Sequence, residues 1–205
     1  MLYGQVVHRL GPAKAGIRVL WLPTPECSTI AKDAVALEFK RRAYWHNDRR
    51  NDYIAAVARA FDSMDAGKLR KYGVLFRGGQ PALRNAPESV IVVMVASTEQ
   101  GRELAKRLPG WKLVSAVAGS GSKEVESARS IVTEWKASKS TIDADVIIRA
   151  GGSAGIGCFK GLAPLDDAQS KWEMSLVDFE DEFDRRAVRD RAWRRREYEL
   201  LGWDD

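Results

Sequence analysis

Seven arginines lie close together near the end of the chain, where they could bind a polyanion. They fall between Arg185 and Arg196, and the aromatic residues Trp193 and Tyr198 lie within and just after this stretch. A guanidinium fork binds phosphate, and an aromatic face can stack on a base. We take three of the arginines as candidate contacts to nucleic acid: Arg194, Arg195 and Arg196. The alternative is a solvated helix whose charge is partly neutralised by four acids: Asp184, Asp190, Glu197 and Glu199.

A glycine-rich turn, Ala150-Gly-Gly-Ser-Ala-Gly-Ile-Gly157, follows an apolar run typical of a strand. It looks like the T-G-G-x-x-G-I-G dinucleotide-binding turn of short-chain dehydrogenases, in which glycines let the backbone approach a pyrophosphate. That family places the turn after its first strand, whereas here Pro164 interrupts any following helix and no Tyr-x-x-x-Lys pair follows. A structural or phosphate-contacting turn is therefore the preferred interpretation, ahead of a nicotinamide-dependent enzyme.

The position of this turn still makes it a candidate site. A strand at Asp145–Ala150 would deliver Arg149 to the carboxyl edge of a sheet, where open α/β folds bind their ligands. The same edge would receive the backbone of three residues that follow the strand: Gly151, Gly152 and Ser153. We expect this turn to be exposed, as ligand-binding loops usually are.

An acidic tetrapeptide, Asp181-Glu-Phe-Asp184, resembles the D-E-x-D box of helicase ATPases, whose carboxylates hold magnesium and polarise water. Such a box works only beside a phosphate loop, and the sequence contains no G-x-x-x-x-G-K-[ST]. Acids near the positive end of a helix dipole explain this segment more simply. We assign no catalytic residue.

The composition favours a cytoplasmic protein without a metal centre. Cys27 and Cys158 are far apart and, like the two histidines, belong to no cluster with metal-ligand spacing. The longest apolar run, Val90–Ala96, is much shorter than a membrane span. Lys and Arg number 33 against 28 Asp and Glu, giving a net charge of +5. This mild basic excess suits a polyanionic partner, DNA or RNA.

Strand-like runs alternate with helical patterns through much of the chain. Ser89–Ala96 is an uninterrupted, largely β-branched run, the pattern of a strand buried on both faces of a parallel sheet. Further strands are predicted at Gln5–Leu10, Ile17–Leu22, Trp111–Val117, Asp145–Ala150 and Met174–Phe179. The alternation predicts an α/β fold with βαβ crossovers and a parallel sheet covered by helices on both faces.

Apolar stripes at helical spacing predict the helices. One is Asn51–Ser63, and another is Glu99–Leu108, capped by Ser97 or Thr98. A third has an apolar face formed by Val125, Ala128, Ile131, Val132 and Trp135. A charged terminal helix is predicted from about Phe183 to Leu201, and Lys68–Pro87 is predicted as a loop, with one possible short strand at Val74–Phe76.

Taken in order, these segments resemble the second, C-terminal RecA-like domain of superfamily 2 helicases of the DEAD/DEAH and restriction-translocase type. Tyr44–Ala58 looks like an N-x-x-R-N-x-x-I-A helix, and Val90–Leu108 looks like motif IV, with its E-x-G-x-x-L-A-x-x-L-P helix. Asp145–Gly157 occupies the place of motif V. Leu176-Val-Asp-Phe-Glu-Asp181, followed by Arg195-Arg-x-x-Tyr198 and Gly202-Trp203, resembles the closing element. The match spans most of the chain.

The resemblance implies a RecA-like, mostly parallel sheet flanked by helices, in which Ser97 would contact a nucleic-acid phosphate. It implies one domain over 1–205: linker strands and the lead into the core at 1–45, the core at 46–180 and a basic helix at 181–205. Two features depart from the family. Motif VI, Q-x-x-G-R-x-x-R, is absent between Gly157 and Met174, and the whole first lobe, with its phosphate loop, is missing.

Three functional hypotheses follow from these observations. The first is a helicase second lobe that binds DNA or RNA, with ATP and magnesium bound only together with a separate first-lobe partner. The second is a degenerate lobe that keeps nucleic-acid or protein binding without the motor role. The third, and least favoured, is a nicotinamide-dependent oxidoreductase that uses the glycine turn at residues 150–157.

Overall fold

Six strands form one all-parallel sheet in the order β1-β6-β5-β2-β4-β3. The computed structural model describes residues 17–25, 34–74, 89–115, 128–139, 142, 144–155, 159 and 174–203. The strands are β1 (Ile17–Pro23), β2 (Ile91–Val95), β3 (Lys112–Val114), β4 (Arg129–Thr133), β5 (Val146–Arg149) and β6 (Met174–Glu180). The helices are α1 (Ala36–Lys40), α2 (Asp48–Asp62), α3 (Ala66–Lys71), α4 (Thr98–Arg107), α5 (Glu134–Ala137) and α6 (Arg185–Leu200). The predicted α/β fold with a parallel sheet is confirmed.

The centre of the sheet is β2, every residue of which is buried. It pairs with β4 on one side and with β5 on the other, as the uninterrupted apolar run predicts. At one edge of the sheet, β1 pairs in parallel with β6 from Ile17↔Met174 to Pro23↔Glu180. The strand predicted at Gln5–Leu10 lies outside the described residues.

Helices cover both faces of the sheet. On one face, α2, α3 and α4 pack on Ile91, Val93 and Val95, and this cluster forms the larger core. On the other face, α5 and α6 pack around Val92 and Met94. A smaller cluster joins α1 and the π-helical turn that follows it, Arg41–Trp45, to α6. Among the described residues, no helix is long and apolar enough to span a membrane.

Two of the predicted helices form and begin at capping side chains, and α2 starts three residues before its predicted start at Asn51. Asn47 accepts a hydrogen bond from the Arg50 amide at the start of α2, and Ser97 accepts one from the Gln100 amide at the start of α4. The predicted stripe of α2 is buried at Ile54, Val57, Ala58 and Phe61. In α4 the buried side includes Gly101 and Leu104.

The helix predicted over Val125–Trp135 is wrong within the described residues. Residues Arg129–Thr133 form β4, and only a single helical turn, α5, follows. The spacing of Ile131, Val132 and Trp135 suits a helix, but strand pairing with β2 and β3 prevails. Trp135 is 55% exposed instead of lying in the core. The start of the segment predicted as a loop, Lys68–Pro87, belongs to α3, whose Leu69 is buried.

Candidate nucleic-acid interface

The candidate residues of the glycine turn meet α4 at the carboxyl edge of the sheet. From β2 the chain passes through α4 to β3 on one side, whereas from β5 it continues to β6 on the other side. Neighbouring strands whose connections diverge in this way define the point where open α/β sheets bind ligands. Gln100 of α4 bridges the two strands, since its Nε2 donates to Ala150 O at 2.8 Å and its Oε1 accepts from Ala96 N at 3.0 Å. In the structure Arg149 ends β5, Gly151, Gly152 and Ser153 follow it at this edge, and Ser97 follows the neighbouring strand β2.

The turn itself is more buried than the sequence predicts. Gly151 and Gly152 are buried, Ser153 is half-buried and Gly155 is exposed. Gly152 has φ +71°, and a Cβ there would lie 2.4 Å from Cε1 of Tyr44. A Cβ on Gly151 would lie 2.3 Å from Glu134 Oε1. The expectation of an exposed turn is thus wrong for these two glycines, which allow Tyr44 and Glu134 to approach the backbone closely.

The guanidinium group of Arg149 donates hydrogen bonds to acceptors inside the protein. Its side chain is fully buried, and its Nη2 donates to Ser153 O at 2.8 Å and also to Gly155 O. Its Nη1 donates to Tyr198 Oη at 2.7 Å, and its Nε lies 3.7 Å from Glu134 Oε1. The Ser153 hydroxyl donates to the other Glu134 oxygen at 3.2 Å. In this conformation Arg149 shapes the turn and does not face solvent.

Arg194 joins α6 to the sheet and to the glycine turn. It is fully buried, and its Nε donates to Asp178 Oδ2 at 3.0 Å. Its Nη1 donates to Gly152 O at 2.8 Å and its Nη2 to Phe179 O at 3.0 Å. Its inclusion among the solvent-facing phosphate contacts is therefore not supported by its position. The Arg194 guanidinium thus holds α6 against β6 and the glycine turn through charge-assisted hydrogen bonds.

A second buried ion pair lies beside the first. Arg50 of α2 donates to both carboxylate oxygens of Asp181, at 2.8 and 3.0 Å, and to Ala150 O at 2.7 Å. Both side chains are fully buried. Burial opposes the charge on Arg50, but the adjacent Asp181 carboxylate outweighs it, so the pKa of Arg50 is raised. The interpretation of Asp181 as a helix-start acid is wrong, whereas Asp184 does cap α6 through the Arg186 amide.

Two tyrosines complete this buried polar region. Tyr198 accepts a hydrogen bond from Arg149 and donates one to Asp178 Oδ2 at 2.8 Å. Because it is fully buried, its ring is not available to stack on a base as the sequence suggests. Burial raises the pKa of Tyr198 well above its ordinary value, and the Asp178 charge raises it further. Burial likewise raises the pKa of Tyr44, whose hydroxyl has no hydrogen-bond partner among the described residues.

The outer face of α6 is the second part of the candidate interface. Arg185, Arg189, Trp193 and Arg196 are exposed and follow one another at spacings of a helical turn, so they share one face. We call these four residues the outer stripe. Trp193 is 50% exposed, and the guanidinium carbon of Arg196 lies 5.9 Å from the centre of its ring. Arg189, Ala192, Trp193 and Arg196 line a shallow cavity of about 200 Å³.

Acidic neighbours neutralise several of the seven arginines but not the whole stripe. Arg186 pairs with Asp184, Arg191 with Glu182, Arg189 with Asp190 and Arg195 with Glu180. Arg195 also covers the Trp21 ring of β1 at 4.9 Å, with its side chain 44% exposed. Within the described part of the chain, no carboxylate pairs with Arg185 or Arg196. Of the three arginines predicted as contacts, Arg196 is the one that lies on the outer stripe.

The structure therefore separates the predicted residues into two groups. At or beside the carboxyl edge lie Ser97, Arg149, Gly151, Gly152, Ser153, Arg194 and also Arg195, which pairs with Glu180 at the end of β6. Arg196 lies apart from them on the outer stripe of α6. Sequence reasoning missed Arg50 and Asp178 as partners. The available signal was a charged residue at a buried position: Arg50 lies four residues before Ile54 on the apolar side of α2, and Asp178 interrupts an apolar strand.

The described residues include no group of three or more His, Cys, Asp or Glu side chains that could hold a metal ion. Comparison with known proteins places the chain in no family, because no protein-family model matches it and no curated protein matches its sequence.

Proposed function

We propose that this chain is a nucleic-acid-binding domain of the helicase second-lobe type. In this proposal it binds DNA or RNA through the outer stripe of α6, and it takes part in ATP hydrolysis only together with a separate first-lobe partner. The observation that carries the proposal is the outer stripe, with three exposed arginines around an exposed tryptophan. Exposed guanidinium groups bind backbone phosphates whatever the base sequence, and an aromatic ring adds affinity for bases.

The surroundings of the stripe support this function. The net charge of the chain is +5, which favours association with a polyanion. Arg194 and Tyr198 fix the inner side of α6 to β6, so the outer arginines project from a rigid element. The parallel sheet with helices on both faces is also compatible with the RecA-like architecture that the sequence resembles.

Packing at the glycine turn argues against the oxidoreductase hypothesis. The glycines of a dinucleotide-binding turn leave room for a pyrophosphate beside the backbone. Here the space beside Gly152 holds the Tyr44 ring, and the space beside Gly151 holds the Glu134 carboxylate. Both glycines are thereby explained by internal packing. A degenerate, non-motor lobe would share the binding surface and differ from the first hypothesis only in lacking a first-lobe partner.

A salt titration of binding tests the proposal. We expect the variant Arg185→Ala/Arg189→Ala/Arg196→Ala to bind a labelled oligonucleotide more weakly than the unmodified protein. The slope of log K against log salt is negative, and each lost phosphate contact reduces its magnitude by about 0.7 for single strands, so three lost contacts should make the slope less steep by about 2. Fluorescence anisotropy at several salt concentrations measures both quantities.

A variant with the same change of charge on the opposite face of the sheet provides the control. Arg70, Lys71 and Arg102 are exposed residues of α3 and α4, which pack on the face of the sheet that α6 does not cover. Changing these three to Ala should leave the slope nearly unchanged. Equal losses in the two variants would assign binding to net charge alone and contradict a site on α6. Absence of binding by the unmodified protein would contradict the function itself.

A further inference from the structure

We infer that Trp193 is a stacking platform for one unpaired base, and that the outer stripe therefore selects single-stranded over duplex nucleic acid. This inference rests on the proposed function and specifies its ligand. The residues that carry it are Trp193, with half of its surface exposed, and the two arginines that line the same shallow cavity, Arg189 and Arg196.

The exposure of Trp193 is the first step of the argument. Trp is a large apolar side chain that proteins usually bury in the core or in an interface. The other large aromatic residue of α6, Tyr198, is fully buried and shares a core cluster with Phe159 and Trp203. Trp193 instead belongs to the outward side of the helix, between exposed arginines. Its indole ring therefore contributes little to the core and offers a surface to a ligand.

The arrangement of cations around the ring is the second step. Arg189 precedes Trp193 by one helical turn and Arg196 follows it by almost one turn, so the two Cα atoms are about 10 Å apart along the axis. A base stacked on the indole would have its flanking phosphates directed towards these guanidinium groups. Arg196 has no carboxylate partner among the described residues, and Arg189 has only the exposed type of pair, with Asp190 at 3.3 Å. Such surface pairs are weak and exchange readily for phosphate.

The shape of the site explains why it should prefer single-stranded to duplex nucleic acid. In a duplex the face of each base is covered by its neighbours, and only base edges and phosphates are accessible. A single strand can turn a base face towards an aromatic ring, and the stacking energy depends little on the sequence. The cavity is shallow, and its described lining residues are arginines, an alanine and the indole. We therefore expect weak sequence preference and a clear preference for unpaired bases.

The test compares one labelled single strand with a duplex dumbbell of equal length, whose closed ends expose no terminal base pair. Trp193→Ala should weaken binding of the single strand by about tenfold and leave dumbbell binding nearly unchanged. Trp193→Phe should retain most of the affinity, because a phenyl ring still stacks. The matched control is Trp135→Ala on α5, since Trp135 is 55% exposed and also lies beside a cation, Lys139 Nζ at 4.2 Å from the ring centre. It should bind both ligands like the unmodified protein.

A spectroscopic measurement keeps the inference testable if an alanine variant folds poorly. The chain has seven tryptophans, and Trp193→Phe removes one of them with little change in shape. Binding of an unlabelled single strand should quench the fluorescence of the unmodified protein and quench that of Trp193→Phe much less. Binding of both ligands with no effect of either Trp193 variant would overturn the inference and leave the proposed function standing. No binding of either ligand would overturn both.

Discussion

At the carboxyl edge of the sheet, each buried arginine is stabilised by a nearby carboxylate. Arg50, Arg149 and Arg194 are all fully buried, and each has a carboxylate within ion-pair distance. A buried ion pair contributes little net stability, because both charges lose their hydration. Removing one partner is different, since the remaining charge is then buried without compensation. The stability of this region should therefore respond strongly to the loss of a single carboxylate.

Asp181→Ala tests this dependence. We expect it to lower the free energy of unfolding by about 3–5 kcal/mol, because it leaves the buried Arg50 guanidinium unpaired. The neighbouring change Glu182→Ala is the control. It removes a carboxylate that is 68% exposed and pairs with Arg191 at the surface, so it should cost at most about 1 kcal/mol. Urea unfolding measures both values, and similar losses would contradict the assigned role of Asp181.

At the scale of elements, the glycine turn and the π-helical turn Arg41–Trp45 are fitted to each other. Tyr44 comes from the π-helical turn, its ring fills the space beside Gly152, and Arg50 lies over the same ring at 5.0 Å. The contact therefore joins the glycine turn to the segment around Tyr44 and Arg50, which lies about 100 residues earlier in the sequence. It also explains why position 152 is a glycine.

Gly152→Ala should lower the free energy of unfolding by more than backbone strain alone. Strain from φ +71° costs about 1–2 kcal/mol for a residue with a Cβ. Gly110→Ala isolates this contribution, because Gly110 has φ +86° and no atom within 4 Å of the added Cβ. The further cost at Gly152 comes from displacing the Tyr44 ring, about 1–3 kcal/mol. Equal losses in urea unfolding would mean that the ring moves aside freely.

Several elements could be predicted because their local pattern agrees with their environment. The β-branched run of β2 is buried on both faces, and α4 begins at the Ser97 cap and buries Gly101 and Leu104. The strand β4 was mistaken for part of a helix. Its Ser130 and Thr133 are polar yet buried, so β4 lacks the uninterrupted apolar run of β2, and the spacing of Ile131, Val132 and Trp135 suits a helix.

The candidate site was predictable in its position but not in its chemistry. A strand followed by glycines ends at the carboxyl edge, and this placed Arg149 and the turn correctly. Which arginines of α6 face solvent could not be derived in the same way. Arg194 lies on the same side of α6 as Ala187 and Tyr198, but a charge at that position can be buried only because of partners elsewhere, such as Asp178, which lies 16 residues earlier on β6. Burial of a charge depends on such tertiary partners, which local patterns do not reveal.

At the scale of the whole molecule, three tyrosines link stability to alkaline pH. Burial raises the pKa of Tyr53 to about 12, and it raises the pKa values of Tyr44 and Tyr198 as well. In the unfolded chain these hydroxyls titrate near pH 10. Above that pH the folded protein holds more protons than the unfolded chain. Their contribution to stability is therefore complete below about pH 9 and decreases as pH rises past 10.

Tyr44→Phe should flatten this decrease. Removing one buried hydroxyl takes away up to about 1.4 kcal/mol per pH unit from the slope of unfolding free energy above pH 10. At pH 7 the variant should be as stable as the unmodified protein or more so, since the Tyr44 hydroxyl has no partner among the described residues. Urea unfolding between pH 7 and 11 provides both comparisons. An unchanged slope, or a clear loss at pH 7, would show that the hydroxyl is solvated or bonded.

The pairing of β1 with β6 has a consequence for how the protein forms. Thr24, at the end of β1, donates to the carbonyl of Glu180 across a sequence separation of 156 residues. The strand β6, which pairs with β1, is therefore synthesised some 156 residues after β1. Closing so long a loop is slow, because its entropy is lost before the contacts form. Until then the outer edge of β5 has no neighbour, and this interval is when the nascent chain is most exposed to pairing with other strands.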